Sequence, residues 1–298
     1  MKYYIGIDIG GTNIKYGILT EQGQIITQGL AKTMRDDGED IIAKITIIVN
    51  DYRTKYEIIA VGVSAPGTIR DDGFMITGGA IHDFYNINLK ERLEQELGLR
   101  VALENDANCA ALAELWLGAG RGKQHFLQFV IGTAVGGALV INGSLFKGAS
   151  FNAGEFGYLL TDEIKNNDTR LATLSLNGSI GHGVVEKYAL KTGTELDGEA
   201  IYATADNGDE TALEVLDEFY TSLARGIFNL STAFDPEVVL IGGAVSQNNA
   251  FILRLQNEIN ELKAGHKDMK MIELAPIQAC GFLNDAGMIG AVYNAISN

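Results

Sequence analysis

The sequence predicts an α/β protein built from two related α/β domains, and three observations predict it. Apolar runs at strand spacing alternate with segments at helical spacing along the whole chain. Two stretches resemble each other: "IGGTNIKYGILTEQG" (9–23) and "IGTAVGGALVINGS" (131–144) both run strand, Ile-Gly, Thr, glycine-containing strand, Asn/Gln-Gly turn. Thr12 and Thr133 correspond, at a separation too long for a solenoid repeat. Between the copies, "GAGRGK" (118–123) is a glycine-rich joint and the candidate domain boundary.

The elements follow in order. Tyr3–Ile9 reads as a buried strand, and Asn13–Thr20 and Gln24–Gly29 complete a meander through the turn "EQG". Residues 40–52 are helix-like, 58–64 a strand, and "APG" (65–67) a turn. Leu89, Leu93 and Leu97 line one face of a helix that Gly98 can end. Residues 101–104 form a short strand and 105–117 a helix. In the second half, 126–131 and 136–141 are strands, and "NGS" (142–144) is a turn. Residues 162–179 are polar and loop-like. Helices are expected at 182–191, 196–205 and 209–234, the last from the spacing of Leu213, Leu216, Tyr220, Leu223, Ile227, Leu230 and Phe234. Strand 238–241 ends in "GGA"; helix 248–262, strand 270–274 and helix 284–296 close the series.

Composition bounds the function. The 298 residues suffice for two domains and a large core. No apolar run of about 18 residues suggests a membrane span, and a strand-like run from Tyr3 leaves no room for a signal peptide. Cys109 and Cys280, the only cysteines, have no metal-ligand spacing, which fits a reduced cytoplasmic setting. The net charge of −15 argues against nucleic acid as a partner. An anionic ligand must therefore be held locally, by backbone N–H groups or a bound cation.

The opening "DIGGTNIKYG" (8–17) matches neither common phosphate-loop pattern. It can still cradle phosphate: Gly10, Gly11 and Thr12 offer N–H groups and a hydroxyl, and Asp8 can hold Mg²⁺ directly or through water. The alternative is a tight hairpin with an acid at its edge. In "ENDANCAALAE" (104–114), Asn105 and Asp106 stand at a strand-to-helix junction. They are ordinary capping residues, or Asp106 accepts a proton from a substrate hydroxyl. "GTAVGG" (132–137), with Gly132, Thr133 and Gly136, suits the same phosphates from the other domain. "LIGGAVS" (240–246), with Gly242, Gly243 and Ala244, offers flat backbone for a purine, or is only a capped turn. Glu155 in "NAGEFGY" (152–158) can bind sugar hydroxyls, or lies in a bland turn. Of the histidines, His266 reads as a solvated surface residue and His125 as the start of a strand. His82 and His182 lie near segments that could line a pocket, or they are packing residues, the commoner role.

In this order the motifs resemble the ROK family of bacterial sugar kinases, of the actin/hexokinase (ribonuclease H-like) superfamily, over nearly the whole chain. "DIGGTNIKYG" and "VIGTAVGGALV" are similar to the family's two phosphate motifs, "ENDANCAALAE" to its catalytic segment and "VLIGGAVS" to its adenosine motif. "NDAGMIGAV" (284–292) is similar to its terminal connecting helix. The resemblance implies two actin-like domains, 1–117 plus 285–298 and 118–284, flanking an ATP cleft. It implies ATP-dependent phosphorylation of a sugar hydroxyl, usually the 6-hydroxyl, with Asp106 as general base. Asn105 and Glu155 would hold neighbouring hydroxyls, Asp8 would position Mg²⁺, and Thr12 and Thr133 would contact phosphates. Lys15 either reaches the phosphates or only decorates its strand. A homodimer is implied, since family members are commonly dimers.

The chain departs from the family around the sugar. Many members continue "GE-I-G-H" into a zinc-binding cysteine cluster; this chain has Tyr158 in place of that His and no cysteine in 174–188. No zinc is expected. Glu186 is nearest by position to the sugar-contacting Glu that follows the cluster, with His182 in the same stretch. The proline-rich sugar loop is altered to "TGGAIHDFYN" (77–86), which contains Gly79. Zinc-lacking members include β-glucoside kinases, which phosphorylate disaccharides such as cellobiose; glucose or N-acetylmannosamine are the alternative acceptors. A sugar-responsive repressor of the same family would need an extra DNA-binding domain before the first phosphate motif. A non-catalytic ATP-binding protein would not need the Asn105-Asp106 pair.

Overall fold

The computed structural model describes residues 2–298. The strands are β1 (Tyr3–Ile9), β2 (Asn13–Thr20), β3 (Ile25–Lys32), β4 (Ile58–Ala65), β5 (Phe74–Met75), β6 (Ile87–Asn88), β7 (Arg100–Asn105), β8 (Phe126–Ile131), β9 (Val135–Ile141), β10 (Ser144–Leu145), β11 (Val238–Gly242) and β12 (Ile277–Ala279). The helices are α1 (Gly38–Arg53), α2 (Leu89–Leu97), α3 (Asp106–Leu117), α4 (Leu174–Asn177), α5 (Lys187–Thr192), α6 (Gly198–Asp206), α7 (Glu210–Phe234), α8 (Asn249–Ala264) and α9 (Ala286–Ser297). Two compact units result: residues 1–122, 147–153 and 284–298, and residues 123–146 and 154–283. The first thus gains the segment 147–153, which the sequence had left within the second half.

In the first unit the sheet order is β3-β2-β1-β4-β7. β1 to β3 form an antiparallel meander, and β4 and β7 run parallel to β1. Ile5, Ile7 and Ile9 of β1 are buried, as expected of a continuous apolar strand inside an α/β layer. α1 starts where the Asp37 carboxylate accepts the Asp40 N–H at 2.9 Å. α2 buries Leu89, Leu93 and Leu97 and ends at Gly98, whose φ is +59°. α9 lies against β1, β4 and α3. The approach is so close that a Cβ on Gly290 would sit 1.7 Å from the Cys109 carbonyl. Only glycine permits that contact.

In the second unit the order is β10-β9-β8-β11-β12, again a meander followed by two parallel strands. The repeat read from the sequence is therefore a repeat of sheet topology. α7 supplies the core with Leu216, Phe219, Tyr220, Leu223 and Ile227.

Three segments differ from expectation. No strand forms at 270–274, where Met271 and Ile272 are exposed. The strand beside β11 is Ile277–Ala279, directly after Pro276, whose carbonyl accepts the Val239 N–H. A proline lacks the ladder donor and fits at a strand's start. The single helix expected over 182–191 is a π-helix at Ile180–Glu186 running into α5. The polar stretch 162–179 contains a 3₁₀ turn (Thr169–Ala172) and α4. Among the described residues no helix is long and apolar enough to cross a membrane.

Candidate active site

The first unit presents the β1–β2 hairpin. Asp8 faces Lys15 on β2 and Ser64 on β4 in register, and the Ser64 hydroxyl donates to Asp8 Oδ1 at 2.6 Å. Burial pushes the Asp8 carboxyl above its ordinary range, with Ser64 and Lys15 pulling the other way. The loop after it is held by its own carbonyls. Thr33 donates its hydroxyl to the Gly10 carbonyl at 2.7 Å and its N–H to the Thr12 carbonyl at 2.9 Å. Arg35 donates through Nε to the Gly11 carbonyl. Among the described residues no acceptor takes the N–H of Gly11 or Thr12. Those two donors suit phosphate oxygens. Lys15 is otherwise engaged: its ammonium donates to the Asn284 carbonyl at 2.6 Å and to Asp285 Oδ1 at 3.0 Å. It ties β2 to the start of α9.

The β7–α3 junction carries the acid–base candidate, and both readings of Asn105 bear on it. Asn105 caps α3, its Oδ1 accepting the N–H groups of Ala107 (2.9 Å) and Asn108 (3.1 Å). Its Nδ2 donates to the Gly67 carbonyl at 3.0 Å, which leaves one amide hydrogen for a ligand. The cap puts Asp106 in the first turn of α3, exposed, with Oδ1 accepting the Ala107 N–H at 2.8 Å. Behind it Glu104 is buried, and its Oε1 accepts the Asn105 N–H (2.9 Å) and Asn108 Nδ2 (3.0 Å). The Cys109 thiol lies among these acids. Burial first, then Glu104, Asp8 and Asp106, push it well above its ordinary range. Asp8 and Asp106, far apart in sequence, thus share one neighbourhood. Gly79 sits in the altered sugar loop at φ +56°, its carbonyl accepting the Tyr85 hydroxyl at 3.3 Å.

The second unit presents the β8–β9 hairpin. A Cβ on Gly132 would meet nothing within 4 Å, so space at this loop is open. Its carbonyls are anchored by the π-helix: Gly132 accepts the N–H groups of Ile180 (3.1 Å) and Gly181 (3.0 Å), and Thr133 that of His182 (3.2 Å). The Val135 N–H donates to Ser175 Oγ at 3.1 Å. Gly136 lies in β9 opposite Val130. Gly243, at φ +94°, passes against the end of β8, where a Cβ would stand 2.0 Å from the Ile131 carbonyl. Gly242 lies beside Cys280, and Ala244 opens the 3₁₀ turn that follows. The adenosine-motif candidate and the second phosphate loop are thus one continuous surface.

Glu155 precedes a 3₁₀ turn (Phe156–Tyr158) whose Phe156 packs on Phe129 at 4.7 Å between ring centres. Glu155 is exposed, yet partial desolvation pushes its carboxyl up. Tyr158 stands 76% exposed. His182 is paired rather than packed away: its Nδ1 lies 2.8 Å from Glu186 Oε2, four residues on. Cys109 and Cys280 are both buried. Among the described residues no group of three His, Cys, Asp or Glu side chains could hold a metal ion. Sequence reasoning missed Ser64, Thr33, Ser175 and Lys147, which act on these loops from other elements. Only Ser64, at the end of a strand before "APG", carried any local signal.

Residues 4–297 match the ROK family profile. A β-glucoside kinase of Listeria innocua is 39% identical over 292 residues, covering 96% of this chain and 95% of that one. A ROK family protein from Streptococcus pneumoniae, solved in complex with sucrose, is 31% identical with a TM-score of 0.88, covering 99% of this chain and 98% of that one. A ROK family glucokinase from Streptomyces griseus, solved with glucose and AMPPNP, is 27% identical with a TM-score of 0.79 and 97% coverage of both. The fold is the actin-like one of these kinases. This chain belongs to the ROK family.

Proposed function

We propose that this ATP-dependent sugar kinase phosphorylates the 6-hydroxyl of the non-reducing glucose of a β-glucoside such as cellobiose, with Asp106 as general base. The observation that carries the base assignment is the exposed Asp106 carboxylate, fixed by the Asn105 cap in the first turn of α3. In the transfer the sugar O–H bond breaks and its proton passes to Asp106. The sugar oxygen bonds the γ-phosphorus as the bond to the β-phosphate oxygen breaks, and ADP leaves. The N–H groups of Gly11 and Thr12, with Gly132, Thr133 and Gly136, hold phosphate oxygens, and Gly242–Ala244 receives the adenosine. Mg²⁺ would neutralise phosphate charge. Asp8 fits it, because a single carboxylate plus phosphates and water is the usual magnesium set and a cation offsets the burial of that acid. Asn105, Glu155 and Gly79 meet the sugar; Tyr158, His182 and Glu186 shape its anomeric end.

The β-glucoside reading is supported by the Listeria innocua relative, and room for a second sugar by the sucrose held by the Streptococcus pneumoniae protein. Glucose and N-acetylmannosamine are the competing acceptors. A coupled ADP-release assay over a sugar panel decides. Cellobiose should give the highest kcat/KM; far better turnover of glucose or N-acetylmannosamine overturns the assignment. Absence of any sugar-stimulated turnover would favour a non-catalytic role. Asp106→Asn should lower kcat by about 10²–10⁴-fold, the usual loss for an acid–base group.

A further inference from the structure

We infer that Lys147 and Glu104 form a positioning pair that fixes the catalytic junction at Asp106; this rests on the assignment of Asp106 as base. Lys147 follows the β10 strand, yet the loop 147–153 belongs to the first unit. The loop is closed on itself. The Ala153 N–H donates to the Lys147 carbonyl at 3.1 Å, and the Lys147 ammonium lies 5.2 Å from the centre of the Phe151 ring. Phe151 holds φ at +60°, which a bulky residue adopts only where its surroundings enforce it.

The ammonium of this loop reaches the two acids that matter. It lies 2.9 Å from Glu104 Oε2 and 3.0 Å from Asp71 Oδ1. Glu104 is 4% exposed, so its carboxylate has no water to fall back on. Its other oxygen accepts from the Asn105 backbone and the Asn108 side chain, one residue before and two residues after Asp106. Each oxygen of Glu104 therefore has a defined task. One orients the junction, and the other is held by Lys147. Burial lowers the lysine's affinity for its proton, but Glu104 and Asp71 outweigh it and hold its pKa above the ordinary value. The ammonium is thus a permanent charge at the pH of catalysis. Further along the chain the same loop leads into Gly154 and Glu155, the sugar-binding candidate of the second unit.

Without Lys147 one oxygen of the buried Glu104 loses its partner, and the carboxylate's hold on Asn105 and Asn108 loosens. Misplacement of reacting groups by about 1 Å can cost roughly 10²-fold in rate. Lys147→Met should lower kcat by about 10–100-fold while leaving the KM for ATP within about twofold. Lys147→Arg, keeping the charge, should restore most of the rate. The double variant Glu104→Gln, Lys147→Met removes both charges of the pair, so it covers the case in which the single variant fails to fold; it should be no slower than Lys147→Met alone and still slower than the wild type. A folded Lys147→Met, checked by circular dichroism, with wild-type kcat overturns the pair. So does a double variant that runs at the wild-type rate. Asp106→Asn measured alongside separates the two assignments. If it stays active the base reading falls and takes this inference with it; if it is dead while Lys147→Met is normal, only the pair falls.

Discussion

The two phosphate-loop candidates are one design with different charge. Both join the first two strands of a five-stranded sheet in the same order, and both have their carbonyls tied down by a later segment. In the first unit the strand positions flanking the loop are Asp8 and Lys15, paired in register; in the second they are Val130 and Gly136. The anchors also differ. Thr33 and Arg35 lead out of β3 in the first unit, whereas a π-helix does the work in the second, where β10 is only two residues long. Geometry was duplicated, and charge was placed in one copy only. Neutral backbone is enough to bind phosphate, whereas the carboxylates proposed for the metal and the base, Asp8 and Asp106, both lie around Cys109 in the first unit.

The sharpest way to break this comparison is to remove the charge from the charged copy. Asp8→Asn should reduce kcat by roughly 10²–10³-fold, as expected for one lost electrostatic stabiliser, in a coupled assay with saturating Mg²⁺. Stability should move the other way. The folded-state pKa of Asp8 is raised, so its contribution is present below the unfolded pKa and is lost as pH rises through the folded value. At neutral pH the buried carboxylate opposes folding. Asp8→Asn, scanned thermally from pH 4 to 8 without metal, should therefore match or exceed the wild type at pH 7 and lose that advantage in acid. A lower melting temperature at pH 7 would contradict the sign.

A smaller effect is expected from the neutral copy. Gly243→Ala forces a Cβ towards the Ile131 carbonyl at a positive φ, a strain of about 1–3 kcal/mol. The KM for ATP should rise roughly tenfold, equivalent to about 1.4 kcal/mol, with kcat little changed. A loss in kcat alone would move this glycine from binding to chemistry. Smallest of all is Lys15→Met. The pair with Asp285 is partly exposed and contributes at most about 1 kcal/mol, so the melting temperature should drop slightly and the KM for ATP should stay within about twofold. A large rise in that KM would show that Lys15 leaves Asp285 for the phosphates.

The hairpins were readable because their signal is local: period-two apolar runs meeting at glycines. The sheet repeat followed from Thr12 and Thr133. The strand at 270–274 was misread because Met271 and Ile272 look apolar, while pairing began only after Pro276. The π-helix was read as an ordinary helix, since one extra residue per turn leaves little trace in so short a segment. Asn105 could be seen as a cap or as a ligand, and side-chain geometry was needed to show that most of its amide is already bonded. Lys147 was invisible for a different reason. A lysine near a turn has no periodicity, and its partners Asp71 and Glu104 are distant in sequence.

The packing of α9 sets a schedule for biosynthesis. The helix fills the face of β1, β4 and α3, with Gly290 pressed to the backbone of Cys109. Its codons follow those of the entire second unit. A nascent first unit therefore waits, its apolar groove unfilled, for residues translated only after the whole second unit. The usual order, in which the N-terminal domain matures first, cannot hold for this unit. That interval is when a chaperone would have the most exposed surface to hold.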